Sequence, residues 1–297
     1  VAGTFNAYTV KDGVTELAAA AQTNGAAGSI SIAFIVFAMV FGVLQKKLNL
    51  EGKSEFFVGL ACTVASLAIG MAFPLIGGKD AWTGFTFAYI FFASVLPMWL
   101  LKQPRDYMTT FMFAGMILGA VVGIVVAHPN MNLPMYTGFT NEKLGNMFPI
   151  LFVTVACGAV SGFHSLVSSG TSSKQVEKEQ DAVKVGYGAM IVESFVGILA
   201  IIVAGIMFSD MNTAGTGALN AGVASTPFQI FAAGISRGMQ AFGVDGTLAT
   251  VFMTMNVSAL ALTSLDAVAR IARTSFSEFF AQTNDALAIE SKAGYMK

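Results

Sequence analysis

The chain has 297 residues, 55% of them hydrophobic and 11% charged, with a formal net charge of -1 from 16 basic and 17 acidic side chains. A soluble domain carries roughly 25% charged residues, so this composition cannot dress a water-facing surface and lipid must be the main solvent. The balanced charge argues against a nucleic-acid partner. Two cysteines, Cys62 and Cys157, and two histidines, His128 and His164, offer neither a disulfide framework nor a His-rich metal site, and no residue pattern asks for a cofactor.

In chain order, residues 1–25 form a polar lead-in without the basic and apolar runs of a leader peptide. With a polar tail at 281–297, this ragged start is expected to mark a piece of a longer protein, otherwise a single transmembrane domain over 1–297. A helix needs about 20 apolar residues to cross roughly 30 Å of hydrocarbon. Seven segments meet that length: 26–44, 56–77, 82–101, 108–127, 147–163, 185–208 and 246–265. Pro74 and Pro97 fall near span ends, where a helix stop is tolerated. On the fourth span Gly115, Gly119 and Gly123 recur at every fourth residue, a spacing that lets helices approach closely and predicts packing.

The stretch 156–175, ACGAVSGFHSLVSSGTSSKQ, departs from a lipid-facing helix. Gly158, Gly162 and Gly170 are interleaved with His164 and the hydroxyls of Ser161, Ser165, Ser168, Ser169, Thr171, Ser172 and Ser173. Irregular backbone at membrane depth needs protein or a water-filled cavity around it, and transporters use such broken helices to present polar groups to substrates. A break over 158–171 is therefore expected, with Ser161, Gly162, His164, Ser165, Ser168, Ser169 and Thr171 as candidate substrate-binding residues. The competing reading is a span ending near Phe163, followed by an ordinary Ser-rich loop.

Glu193 lies eight positions past Val185, about 12 Å into its helix at 1.5 Å per residue. An acidic group at the bilayer centre costs roughly 2.5–3.5 kcal/mol to insert, which marks Glu193 as a candidate for proton coupling; a bundle-internal hydrogen bond is the plain alternative. Segment 226–243 sets Gln229, Ser236, Arg237 and Gln240 on one helical face and Phe228, Ile230, Phe231, Ile235 and Phe242 on the other. That pattern predicts an interfacial or re-entrant helix. The last span runs into 256–280, where Asp266 and Arg270 stand four apart in the favourable order for a helical ion pair. His164 and Asp266 join Glu193 as proton-coupling candidates.

Alternating the loops between sides places Lys46, Lys47, Lys53, Lys102, Arg105, Lys174, Lys178, Lys184, Arg270, Arg273, Lys292 and Lys297 together. Lys11, Lys79, Lys143 and Arg237 fall opposite. Twelve against four predicts a cytoplasmic C-terminus and an external N-terminus, provided that 226–243 does not cross. A membrane hydrolase built on Ser161, His164 and Ser165 is disfavoured, since Ser161 and His164 share one helical turn and no G-x-S-x-G elbow is present. A channel or a receptor shares this composition, but an ionisable group beside a broken helix favours a carrier.

The block FPILFVTVACGAVSGFHSLVSSGTSSKQ (148–175), with GYGAMIVESFVGILA (186–200), resembles the carbon starvation protein A (CstA) family. WLLKQPRDYMTTF (99–111) and LTSLDAVARIARTSFSEFF (262–280) resemble two further blocks of that family, in the same order. The resemblance covers most of residues 50–280. It implies an all-α polytopic bundle related to broken-helix amino-acid transporters. It also implies a non-enzymatic role in the bacterial inner membrane: proton-coupled uptake of peptides or small carboxylates such as pyruvate.

Overall fold

A computed structural model describes the chain apart from residues 1, 12–13, 18–20, 132–134, 137, 142–144, 213–226 and 282–297. The expected tail at 281–297 thus lies almost wholly outside the described residues. Helix α1 (Ala2–Phe5) precedes a hairpin of β1 (Tyr8–Lys11) and β2 (Val14–Leu17), paired antiparallel from Tyr8 opposite Leu17 to Lys11 opposite Val14. The bundle follows as α2 (Ala21–Leu48), α3 (Lys53–Ala72), α4 (Lys79–Val95) and α5 (Lys102–Ala127). A small hairpin, β3 (Thr140–Asn141) and β4 (Gly145–Asn146), leads into α6 (Met147–Ala159), α7 (Gly162–Val167) and a π turn (Ser168–Ser172). Helices α8 (Asp181–Asn212), α9 (Pro227–Ala241) and α10 (Gly246–Ala281) complete the described chain.

Six helical stretches are long and apolar enough to cross a membrane: Ala21–Leu48, Lys53–Ala72, Lys102–Ala127, Met147–Ser172, Asp181–Met207 and Gly246–Phe280. The remaining expected span, 82–101, is helical only over the 17 residues of α4. Its helix stops before Pro97, because a residue preceding proline is pushed out of the helical region. Pro74 follows the end of α3 in the same way. Helix α10 runs well past the expected limit at 265, since 266–281 keeps helical spacing and gains an internal ion pair.

The chain divides into two compact units, Val1–Met135 with Tyr187–Thr263, and Tyr136–Gly186 with Ser264–Lys297. In the first, one cluster joins Ile30, Phe34 and Phe41 of α2 to Met108 and Met112 of α5 and Val251 and Met255 of α10. A second joins Met116 and Ala120 to Leu199 and Val203 of α8, Ala232 and Ile235 of α9, and Met253 and Val257 of α10. Alternate residues of α10 thus enter different clusters, which buries its stretch 251–259 on opposite sides, whereas 272–280 is exposed. Lipid is as apolar as these side chains, so close packing must hold the helices together. Accordingly a Cβ on Gly70 would lie 2.5 Å from the Ile30 backbone, where α3 meets α2.

The glycine stripe of α5 packs as its spacing predicts. Gly115 faces Phe252, while Gly119 and Gly123 face Met239 and Gly238 of α9. At 15 residues α9 is too short for a full span. Its Ser236 turns inward to Thr250 at 2.9 Å, so part of the expected polar face is buried in the bundle. The polar lead-in is also anchored. Phe5 is buried against Trp82, with ring centroids 5.1 Å apart, and the Ala7 amide donates to the Gly77 carbonyl at 3.1 Å.

Candidate functional site

The apolar helix α6 ends at Val160 (φ -134°, ψ 40°), and Ser161 (φ -60°, ψ 121°) is extended before α7 resumes. Two residues outside helical geometry break the span, at the point where Gly158, Ser161 and Gly162 weaken helical preference. Helix α7 gives way after one turn and a half to the π turn, where the Ser173 amide reaches back five residues to the Ser168 carbonyl at 2.9 Å. Short π segments inside helices are frequent at functional sites.

Along this stretch Ser161, Ser165, Ser168 and Ser169 follow helical spacing and share a face. Ser161 is half-buried, and the other three are exposed, as are Gly162 and His164. Ser169 donates to the Ser165 carbonyl at 3.0 Å, and Ser173 donates to the Ser169 carbonyl at 2.8 Å. Thr171 is buried, and beside it a Cβ on Gly170 would touch Ile271 of α10 at 3.5 Å. The hydroxyls of Ser169 and Ser173 bond within the run, to the backbone carbonyls of Ser165, Leu166 and Ser169.

Asp266 lies on α10 in the same unit as the broken span and is fully buried. Its Oδ1 accepts from Arg270 Nε at 3.0 Å, as their four-residue spacing predicts. Its Oδ2 is buried with no hydrogen-bond partner. Glu193 belongs to the other unit, on the exposed first half of α8, where an added Cβ on Gly186, Gly188 or Gly197 would meet nothing. The structure therefore brings Asp266 into one unit with residues 161–171 and assigns Glu193 to the other.

Sequence reasoning missed a second polar cluster, in the first unit. Lys102 and Arg105 looked like loop charges, yet both are buried in the first turn of α5. Arg105 donates to the Tyr89 hydroxyl and, at 2.9 Å, to Thr263 Oγ1. The only available signal was the position of Lys102 and Arg105 at i and i+3 around Pro104, a residue tolerated in the first turn of a helix. Asn256, also fully buried, donates to the Met112 carbonyl at 2.5 Å. A cavity of about 140 Å³ opens beside Gly123, Val203 and Ile235 with Arg237 among its lining residues; none of the sequence-predicted site residues lines it.

Six apolar membrane-length helices, one of them broken by a polar stretch, define a multi-pass helical membrane protein. The family model described as Carbon starvation protein CstA matches residues 9–221 and 210–295, and the chain belongs to that family. Among characterised relatives, the pyruvate/proton symporter BtsT of Escherichia coli K12 is 42% identical over 174 residues, covering 52% of this chain and 24% of the relative. The peptide transporter CstA of the same strain is 50% identical over 123 residues, covering 40% and 18%. The peptide transporter CstA of Helicobacter pylori J99 is 46% identical over 139 residues, covering 46% and 20%. The match therefore spans a quarter or less of each of these relatives' length. No solved structure matches the chain.

Proposed function

We propose that this chain is part of a proton-coupled secondary transporter in the bacterial inner membrane, taking up peptides or small carboxylates such as pyruvate. Residues 160–172 form the core of its substrate path in this reading. The observation that carries it is the break at Val160 and Ser161, followed by a π turn, within an otherwise apolar span. Backbone groups freed by such a break need a partner at membrane depth, and a passing solute supplies one. Ser161, Gly162, His164, Ser165, Ser168, Ser169 and Thr171 are the groups nearest to it in sequence. The names of the relatives support both solute classes and, for BtsT, the proton as partner.

The test is uptake of labelled pyruvate and labelled dipeptides by the full-length protein in proteoliposomes, with and without an imposed pH gradient. A carrier accumulates one of them above its external concentration only when the gradient is present. Equilibration with no response to the gradient would indicate a channel, and no uptake of either solute would overturn the substrate assignment.

A further inference from the structure

We propose that the cavity between α5, α8 and α9 binds a small monocarboxylate with a short apolar tail, the tail inside and the carboxylate on Arg237 at the mouth. The site lies wholly in the first unit, apart from residues 160–172, and goes beyond the transporter reading without depending on it.

The cavity has an apolar back and a cationic mouth. Its back wall is Ala120 and Gly123 of α5, Val203 of α8, and Gly234 and Ile235 of α9, all buried. Ala127, the last residue of α5, and Arg237 also line it and are exposed. Helix α5 stops there at His128, which takes the left-handed conformation (φ 41°), so the mouth lies at a helix end and not at mid-span.

Settling of α9 cannot close this space. On one flank a Cβ on Gly123 would stand 2.6 Å from the Gly238 carbonyl carbon, and on the other a Cβ on Gly234 would collide with Val203. Helix α9 is therefore already at closest approach to both neighbours, and the glycines that allow this bring no side chain to fill the gap. Lining atoms that face a void forfeit their packing contacts, which an apolar guest restores. A cavity of about 140 Å³ with apolar walls excludes water and admits a body of roughly six heavy atoms.

The charge at the mouth selects the head group. Arg237 Nη1 is 3.8 Å from Met207 Sδ, and Met207 Cγ is 3.1 Å from the place a Gly234 Cβ would take, which sets the guanidinium at the α8–α9 edge of the cavity. Thioether sulfur is a weak acceptor. Arg237 makes further contacts, yet five N–H donors in a planar fork serve several acceptors at once, and a carboxylate needs only one or two of them. Among the described residues, none that lines the cavity is acidic. A single cation balances a carboxylate, whereas a phosphate monoester brings nearly two negative charges. An apolar pocket with one well-placed polar group is the usual make-up of a small-molecule site.

The test is equilibrium binding of butyrate, hexanoate, decanoate and hexanamide to the full-length protein in nanodiscs of zwitterionic lipid. Affinity should rise about fourfold per methylene from butyrate to hexanoate, then level at decanoate because the cavity is full. Hexanamide, which lacks the charge, should bind about fivefold more weakly than hexanoate. Arg237→Gln should erase that difference. Ala120→Leu, which puts an isopropyl group into the cavity, should weaken hexanoate by about tenfold or more. A rise that continues through decanoate would mark a groove open to lipid tails and overturn the proposal. Equal affinity of the parent protein for hexanoate and hexanamide would overturn it too, as would the absence of saturable hexanoate binding. Should either variant fail to fold, the chain-length series and the amide comparison on the parent protein decide alone. None of these measurements reads transport, so a protein that moves no solute sinks the transporter reading and leaves this site standing.

Discussion

Gly123 of α5 and Gly238 of α9 meet backbone to backbone: a Cβ on Gly123 would stand 2.6 Å from the Gly238 carbonyl carbon. A side chain there must drive the two helices apart, and overpacking of this kind costs about 1–3 kcal/mol. Gly123→Ala should therefore lower the thermal unfolding midpoint of the purified protein. Gly84→Ala is the matched control, because nothing lies within 4 Å of its added methyl. Equal midpoints for the two variants would show that the α5–α9 crossing is looser than described.

The Arg105 cluster makes a second prediction. Thr263 supplies one of the hydroxyls around a buried guanidinium, and a hydrogen bond to a charged group contributes about 1.5–3 kcal/mol. Thr263→Val should destabilise the protein by that order in reversible unfolding. Thr274→Val, at an exposed threonine that bonds its own helix, should stay within about 0.5 kcal/mol of the parent. If the two valine variants unfold alike, Arg105 is held by other contacts.

That cluster also marks the limit of the sequence. Membrane helices announce themselves by uninterrupted apolar length, so six of the seven expected spans were legible, and so was a break within 158–171, though the structure confines it to Val160 and Ser161 and resumes helix at Gly162. So was the Asp266–Arg270 pair, whose geometry is local. The burial of Lys102 and Arg105 was not, because what covers Arg105 comes from Tyr89 and Thr263, 16 and 158 positions away. Pairing across such separations leaves no periodicity to read. Glu193 shows the converse: its depth along α8 could be counted, but not which face of the helix it occupies.

Sidedness rests on seven crossings, with the 17-residue α4 among them at the lower limit of spanning length. It rests also on the resulting twelve-to-four excess of basic residues, which remains ten to four when the buried Lys102 and Arg105 are set aside. Single cysteines at Asp80, Lys47 and Lys178, all exposed, test it in a background lacking the exposed Cys157. An impermeant thiol reagent applied to sealed cells should label position 80 and spare 47 and 178. Labelling at 178 from outside would invert the bundle and place the π turn's flank on the opposite face.

The break itself can be closed without crowding. Gly158 and Gly162 flank Val160 and Ser161, and an added Cβ at either position meets nothing within 4 Å. Alanine at both therefore changes helical preference alone, by about 1 kcal/mol at each site. A shift of one to two kcal/mol moves a two-state balance by roughly five- to thirtyfold. If substrate passes through the non-helical geometry at 160–161, the Gly158→Ala, Gly162→Ala double variant should keep normal expression and thermal stability, or gain slightly, while uptake falls within that range. A merely structural break predicts better folding and unchanged uptake. Uptake within about twofold of the parent protein, at equal amounts in the membrane, would remove the broken helix from the substrate path.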